Sequence, residues 1–182
     1  MKGVLICGGT GSRLRPLTEI TNKSLLPVYD RPLIEYPLQT LLKAGITNIA
    51  IVTGTEHIDQ ITQYLGPRGS SYGCTFAFKV QEKPGGIAQA LGLAADEFSD
   101  EDSVCAILGD NIYFDDIAEP IKNFRGGGHV FLKEVPDPER FGVVETENVA
   151  IKSIEEKPAQ PKSNLAMTGC YVFGADCFDV IT

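Results

Sequence analysis

Apolar residues come along this chain as short β-rich runs, and between the runs they recur at the three- and four-residue spacing of helices. The runs occupy residues 3–7, 48–53, 75–80, 103–108 and 129–134. Between the first two, Ile34, Leu38, Leu41 and Leu42 make one stripe that Gly45 stops. Ile58, Ile61 and Leu65 make the next, with Thr55 as the expected cap, and Ile87, Leu91, Ala95 and Phe98 make a third. Alternation of this kind is the signature of crossover units and a mostly parallel sheet, so the expected fold is a single α/β/α layered domain over residues 1–182. Residues 143–147, 149–155 and 169–173 are expected to add later strands near the site. The closing stretch "ADCFDVIT" reads as the first two turns of a helix with Phe178 and Ile181 on one face. A helix that short is marginal, and these two side chains are expected to be left as an exposed apolar patch.

Composition narrows the class. A chain of 182 residues can bury a substantial core without staples. Its five cysteines, Cys7, Cys74, Cys105, Cys170 and Cys177, form no C-x-x-C pair, and most lie in apolar runs, which fits reduced core residues in a cytoplasmic protein. No signal-type segment opens the chain and no stretch is apolar for the ~20 residues a membrane span needs. The net charge of −8 argues against a surface that tracks a nucleic acid polymer, but a small phosphorylated ligand needs only a few local cations.

Such cations come directly after the first run. In "GGTGSRLRPLT", residues 8–18, three glycines in four residues precede Arg13 and Arg15. The loop matches neither common phosphate motif. A dinucleotide fingerprint would need glycine where Leu14 stands, and a P-loop would need glycine where Asn22 precedes Lys23 and Ser24. Successive glycine amides after a strand still make an anion-binding concavity, and Arg13 can bridge two phosphate oxygens. Lys23 is a second candidate cation. Asp110 comes after the run "VCAIL" and Gly109, which puts it at the carboxyl end of a central strand, where open α/β sheets place their ligands. Asp115 and Asp116 read as solvated charges or a helix cap. His57 and His129 have no partner at metal spacing, and nothing resembles a Ser/His/Asp or Cys/His set, which disfavours a covalent intermediate.

Taken together, "GGTGSRLRPLT", "NKSLLPVYDRPLIEYPL", "VQEKPGGIAQAL", "ILGDNIY", "VPDPERFGVVE", "IEEKP" and "KSNLAMTGCYVF" resemble, in order and spacing, the sugar-1-phosphate nucleotidyltransferases, their thymidylyltransferase branch in particular. The resemblance implies a Rossmann-like three-layer sandwich with a mixed, mostly parallel sheet. It also implies transfer of a nucleotidyl group from dTTP to glucose-1-phosphate, giving dTDP-glucose and pyrophosphate for activated-sugar synthesis. By it, Ile6, Gly8, Gly9, Gly11, Ser12 and Arg13 hold the nucleotide, Lys23 reaches the phosphates, and Gln81 and Gly86 read the pyrimidine. Asp110 holds Mg2+, an ion that takes one or two carboxylates and fills its octahedron with phosphate oxygens and water. Gly142, Glu156, Lys157 and Tyr171 line the sugar-phosphate pocket, and Arg13, Lys23 and Asp110 carry catalysis. Phe141 departs from the tyrosine found in many relatives, which removes a hydroxyl from the pocket. The resemblance admits a homo-oligomer and implies that the family's C-terminal part, with a second acidic metal ligand, lies beyond residue 182. The alternatives are a UTP-dependent uridylyltransferase and a truncated nucleotide- or sugar-phosphate-binding module without efficient turnover.

Overall fold

The computed structural model describes residues 1–9, 11–100 and 102–181; Thr10 of the glycine-rich loop and Thr182 of the expected terminal helix lie outside the described residues. Where the sequence pattern draws one domain, the chain divides into two compact units: Met1–Gly128 with Val172–Thr182, and His129–Tyr171.

In the first unit the chain runs through β1 (Lys2–Cys7), β2 (Pro27–Val28), β3 (Arg31–Pro32), α1 (Glu35–Lys43), β4 (Asn48–Gly54), α2 (Ile58–Leu65) and α3 (Gly69–Tyr72). It continues through β5 (Thr75–Gln81), α4 (Gly86–Gly92), β6 (Ser103–Leu108) and α5 (Ala118–Lys122), and closes on α6 (Cys177–Val180). β5, β4, β1 and β6 are neighbours in that order and every pairing is parallel, with Gly3 level with Ile49 on one side and Cys105 on the other. Val4, Leu5, Cys7, Ile51, Val52, Val104, Cys105 and Ile107 are fully buried. Consecutive burial along a strand requires cover on both faces, which is what helices between parallel strands supply. On α1, Leu38 and Leu41 are inaccessible and Lys43 is exposed; on α2, Ile61 and Leu65 are inaccessible and Asp59 is exposed. Each such Leu or Ile contributes about 1.5–3 kcal/mol by leaving water. This is the parallel part of the mixed, mostly parallel α/β arrangement expected from the sequence.

Three local expectations are corrected. Thr55 does not cap α2: a 3-10 turn, Thr55–His57, intervenes and no side chain caps the helix start. The third stripe is not one helix. α4 ends at Gly92, a poor helix former, and Phe98 is extended beyond the separate turn Ala95–Glu97. That extension answers the third expectation, because the Phe178 ring packs on Phe98 with centroids 5.0 Å apart, and Ile181 lies against Gly92. The patch expected at Phe178 and Ile181 is therefore partnered, and it is Val180 that stands 80% exposed.

The loop entering β6 is closed by Asp102. Its Oδ2 accepts from Lys2 Nζ at 2.8 Å, from the Ser99 amide at 2.9 Å and from Ser99 Oγ at 3.0 Å. The Lys2 ammonium above all, then the Ser99 amide, holds this carboxyl down from 3.8 to about 2. A depressed carboxyl stabilises the fold above its unfolded value and loses that contribution as pH falls through its folded one. Asp102→Asn is thus expected to lower stability at pH 7 by roughly 1 kcal/mol. Denaturation midpoints at pH 7 and about pH 2 check this: the gap between the two proteins closes in acid, and a gap independent of pH contradicts it.

The second unit carries antiparallel pairings. β7 (Gly128–Glu134) enters it and pairs β10 (Leu165–Gly174), whose last residues belong to the first unit. β10 pairs β8 (Gly142–Glu147) at Ala166 and Val143, and β8 pairs β9 (Ala150–Glu156). The hairpin turn holds Asn148 at φ 58°, a conformation asparagine tolerates, and Val149, expected in the strand, sits in this turn 98% exposed.

Candidate active site

β1 and β6 end side by side, and close packing decides which residues can succeed them in the chain. The Gly109 amide donates to the Ile6 carbonyl at 2.8 Å, one step past the β6 strand. A Cβ on Gly109 would stand 2.7 Å from Cys7 Sγ and 3.0 Å from Ser24 Oγ, so a glycine is what lets Asp110 come this close to β1. Asn22, 2% exposed, supplies the other half. Its Nδ2 donates to the Cys7 carbonyl at 3.0 Å and its Oδ1 accepts from the Ser24 amide at 2.8 Å, pinning the turn that carries Lys23 to the end of β1. Lys23 Nζ forms an ion pair with Asp110 Oδ2. Their side chains remain 23% and 34% exposed, so both stay open to a ligand. Burial pushes the Cys7 thiol up to about 12, which leaves it a neutral packing group beneath the site.

Ile6, Gly8, Gly9, Lys23, Gln81, Gly86 and Asp110 line one cavity of about 230 Å3, with Pro84, Ile87 and Leu108. Gly11, Ser12 and Arg13 do not line it. Ser12 and Arg13 lie on the neighbouring turn Ser12–Leu14, which Gly11 precedes, and Arg13 is exposed. That turn is closed by Thr18, whose Oγ1 donates to the Gly11 carbonyl at 2.8 Å; Gly11 itself sits at φ 59°, with its absent Cβ 2.7 Å from Thr18 Cγ2. A larger hollow of about 310 Å3 lies at the opposite ends of β1, β4 and β5, lined by Lys2, Asn48 and Thr75 among others, and its lysine is already paired with Asp102.

The residues assigned to the sugar phosphate gather in the second unit. Gly142 and Glu156 are register partners, and a Cβ on Gly142 would stand 3.2 Å from Glu156 Oε2. Lys157 leaves β9 at φ 44°, unusual for a residue with a side chain, held by its amide donating to the Phe141 carbonyl at 2.9 Å, and its Nζ pairs with Glu156 at 3.0 Å. Tyr171 is half-buried, and burial first, then the Glu156 charge, pushes its hydroxyl up. Strain of this kind is most often kept where function needs a fixed side chain.

Among the described residues no three or more His, Cys, Asp and Glu cluster as a metal cage. Among the described residues that line the cavity, the one carboxylate open to a cation is Asp110. That donor set suits Mg2+, which binds through few carboxylates and substrate phosphates. Asp116 accepts from the Ala118 amide at 3.0 Å just before α5, whose cap position is Ile117, and Asp115 is exposed. The roles of Thr18 and Gly109 do not show in the sequence pattern. For Asn22 a signal is present, an asparagine two residues before the amide it caps.

A parallel sheet whose carboxyl ends carry a glycine loop, a lysine and a carboxylate around one cavity has the build of a nucleotide-handling α/β protein. The chain belongs to the nucleotidyl transferase family, which it matches over residues 2–182. It is 44% identical over 178 residues to the glucose-1-phosphate thymidylyltransferase of Neisseria meningitidis, covering 95% of this chain and 61% of that one. Among solved structures it is similar to one described as a glucose-1-phosphate thymidylyltransferase from Bacillus anthracis in complex with sucrose, with 47% identity, a TM-score of 0.91, and 98% and 73% of the two chains covered. A UDP-glucose pyrophosphorylase bound to UDP-glucose is more distant, with 25% identity and a TM-score of 0.83 over 98% and 78% of the chains. The chain spans 59 to 61% of the length of curated relatives it matches. Among the described residues no helix is long and apolar enough to cross a membrane.

Proposed function

We propose that this chain carries the nucleotide-binding and catalytic machinery for transfer of a thymidylyl group from dTTP to glucose-1-phosphate, forming dTDP-glucose and releasing pyrophosphate. The observation that carries this reading is the convergence of Gly8, Gly9, Lys23, Gln81 and Asp110 on one cavity at the carboxyl ends of β1, β5 and β6. The relatives' names supply the substrates.

An oxygen of the sugar phosphate attacks the α-phosphorus in line, and the bond to pyrophosphate breaks. No protein nucleophile takes part. The chain's work is positioning, worth up to ~7–11 kcal/mol in well-oriented reactions, and stabilisation of charge on the transferring group. The glycine amides cradle phosphate oxygens, Lys23 meets the triphosphate, and Arg13 reaches over it from the Ser12–Leu14 turn. In the second unit Glu156 accepts from sugar hydroxyls and Lys157 offsets the sugar's phosphate. Mg2+, held by Asp110, supplies Lewis-acid neutralisation of the triphosphate when bound. A cytoplasmic location belongs to the same reading and is supported by free cysteines, four of them buried. A homo-oligomer is compatible with it.

Pyrophosphate release with dTTP, glucose-1-phosphate and Mg2+ tests the proposal. Turnover is expected with dTTP and, more weakly, with UTP, because one ring methyl is worth only ~1–3 kcal/mol of discrimination. Strong use of ATP in place of dTTP contradicts the reading.

A further inference from the structure

The side-chain amide of Gln81 can face the cavity with either its oxygen or its nitrogen, and a short chain of hydrogen bonds decides which. A backbone N–H can only donate. That of Gly85 meets Gln89 at 3.1 Å, so the Gln89 atom there is its oxygen, Oε1. The same oxygen lies 2.7 Å from Gln81, so the Gln81 atom facing it is the nitrogen, Nε2. The Gly86 carbonyl, which can only accept, lies 3.3 Å from that nitrogen and agrees. Gln81 Oε1 is left turned toward Gly8, 3.0 Å from where a Cβ would stand, and Gly8 and Gln81 both line the cavity. Gln81 is 7% exposed and packed in this orientation, whereas Gln89 sits on the exposed side of α4.

We propose that Gln89 is a specificity-determining residue that acts through Gln81. By locking the Gln81 amide it makes the cavity present a hydrogen-bond acceptor, which selects bases carrying a ring N–H over bases carrying a ring lone pair. Thymine and uracil offer N3–H to such an acceptor; cytosine offers a lone pair at the same position and is refused. This rests on reading the cavity as a nucleotide site. Gln89 needs no contact with the nucleotide and is a positioning residue.

The test measures equilibrium binding of dTTP and dCTP to the full chain and to Gln89→Leu and Gln89→Glu, with melting temperatures to monitor folding. The unmutated chain is expected to prefer dTTP. Gln89→Glu keeps that preference, because its carboxylate accepts from both the Gly85 amide and Gln81 Nε2. Gln89→Leu removes the shorter of the two contacts that hold the amide and leaves only the Gly86 carbonyl at 3.3 Å, so Gln81 can turn to present its nitrogen, and the preference falls about tenfold, the scale of one mismatched buried hydrogen bond, chiefly by a gain in dCTP binding. Gln89→Ala carries the same expectation should the leucine variant melt early. A role confined to structure would weaken both nucleotides alike, and an unaltered ratio in Gln89→Leu and Gln89→Ala overturns the proposal, as does loss of the preference in Gln89→Glu. A folded unmutated chain that binds neither nucleotide instead overturns the nucleotide-site reading and this inference with it.

Discussion

Asp110→Asn is expected to abolish the response of turnover to Mg2+ and to lower the rate by at least ~100-fold, while nucleotide binding is retained. The substitution keeps the shape of the side chain and removes its charge. Two groups feel that change. A cation loses the one carboxylate that the cavity offers it, and Lys23 loses the partner that holds its ammonium at the mouth of β6. Freed from Asp110, Lys23 can turn wholly to the triphosphate, so binding of dTTP holds or tightens as turnover falls. A split of this direction, binding kept and rate lost, separates a catalytic carboxylate from a structural one. Pyrophosphate release across a Mg2+ titration, set beside nucleotide binding, checks it. An unchanged metal titration in the variant would reduce Asp110 to a partner of Lys23.

Arg13→Ala is expected to lower turnover by at least ~100-fold with stability changed by no more than about 0.5 kcal/mol. Arg13 is exposed on the Ser12–Leu14 turn, so truncating it removes little buried area. The fold of that turn is held instead by Thr18 on the Gly11 carbonyl, which the substitution leaves untouched. A large kinetic effect without a thermal one would come from contact with the substrate's charge. The opposite pattern, a lower melting temperature with normal activity per folded molecule, would give Arg13 a structural role and leave the phosphates to Lys23 and the glycine amides.

The longer strands and the first two helices were legible because their signals are local, whereas the two-residue strands β2 and β3 were not. β6 occupies the residues its apolar run marks, and the apolar spacing of α2 is the one that Ile61 and Leu65 bury. The sheet end that carries Asp110 was legible for the same reason, since a carboxylate directly after a buried run has little choice of position. Where two local signals competed, the pattern misled. Ala95 and Phe98 continue the spacing of Ile87 and Leu91, yet Gly92 ends the helix and Phe98 serves Phe178, a residue 80 positions later in the chain.

By itself, then, the sequence determined the alternation of strand and helix, the net negative charge, and the residue types available for phosphate chemistry. Each comes from neighbours in the chain or from composition. Only the tertiary structure decided which of those residues meet. Asn22 caps Lys23's turn, but that it also grips the Cys7 carbonyl depends on β1 ending beneath it. Glycine at 109 is required by Cys7 and Ser24, residues far away in the chain. Even over the short span from β5 to α4, the orientation of Gln81 depends on how the chain folds back to bring it Gln89, itself held by the Gly85 amide, and the Gly86 carbonyl. A hydrogen bond or a close contact is a property of two groups, and when they are distant in sequence neither one's surroundings in the chain contain the other.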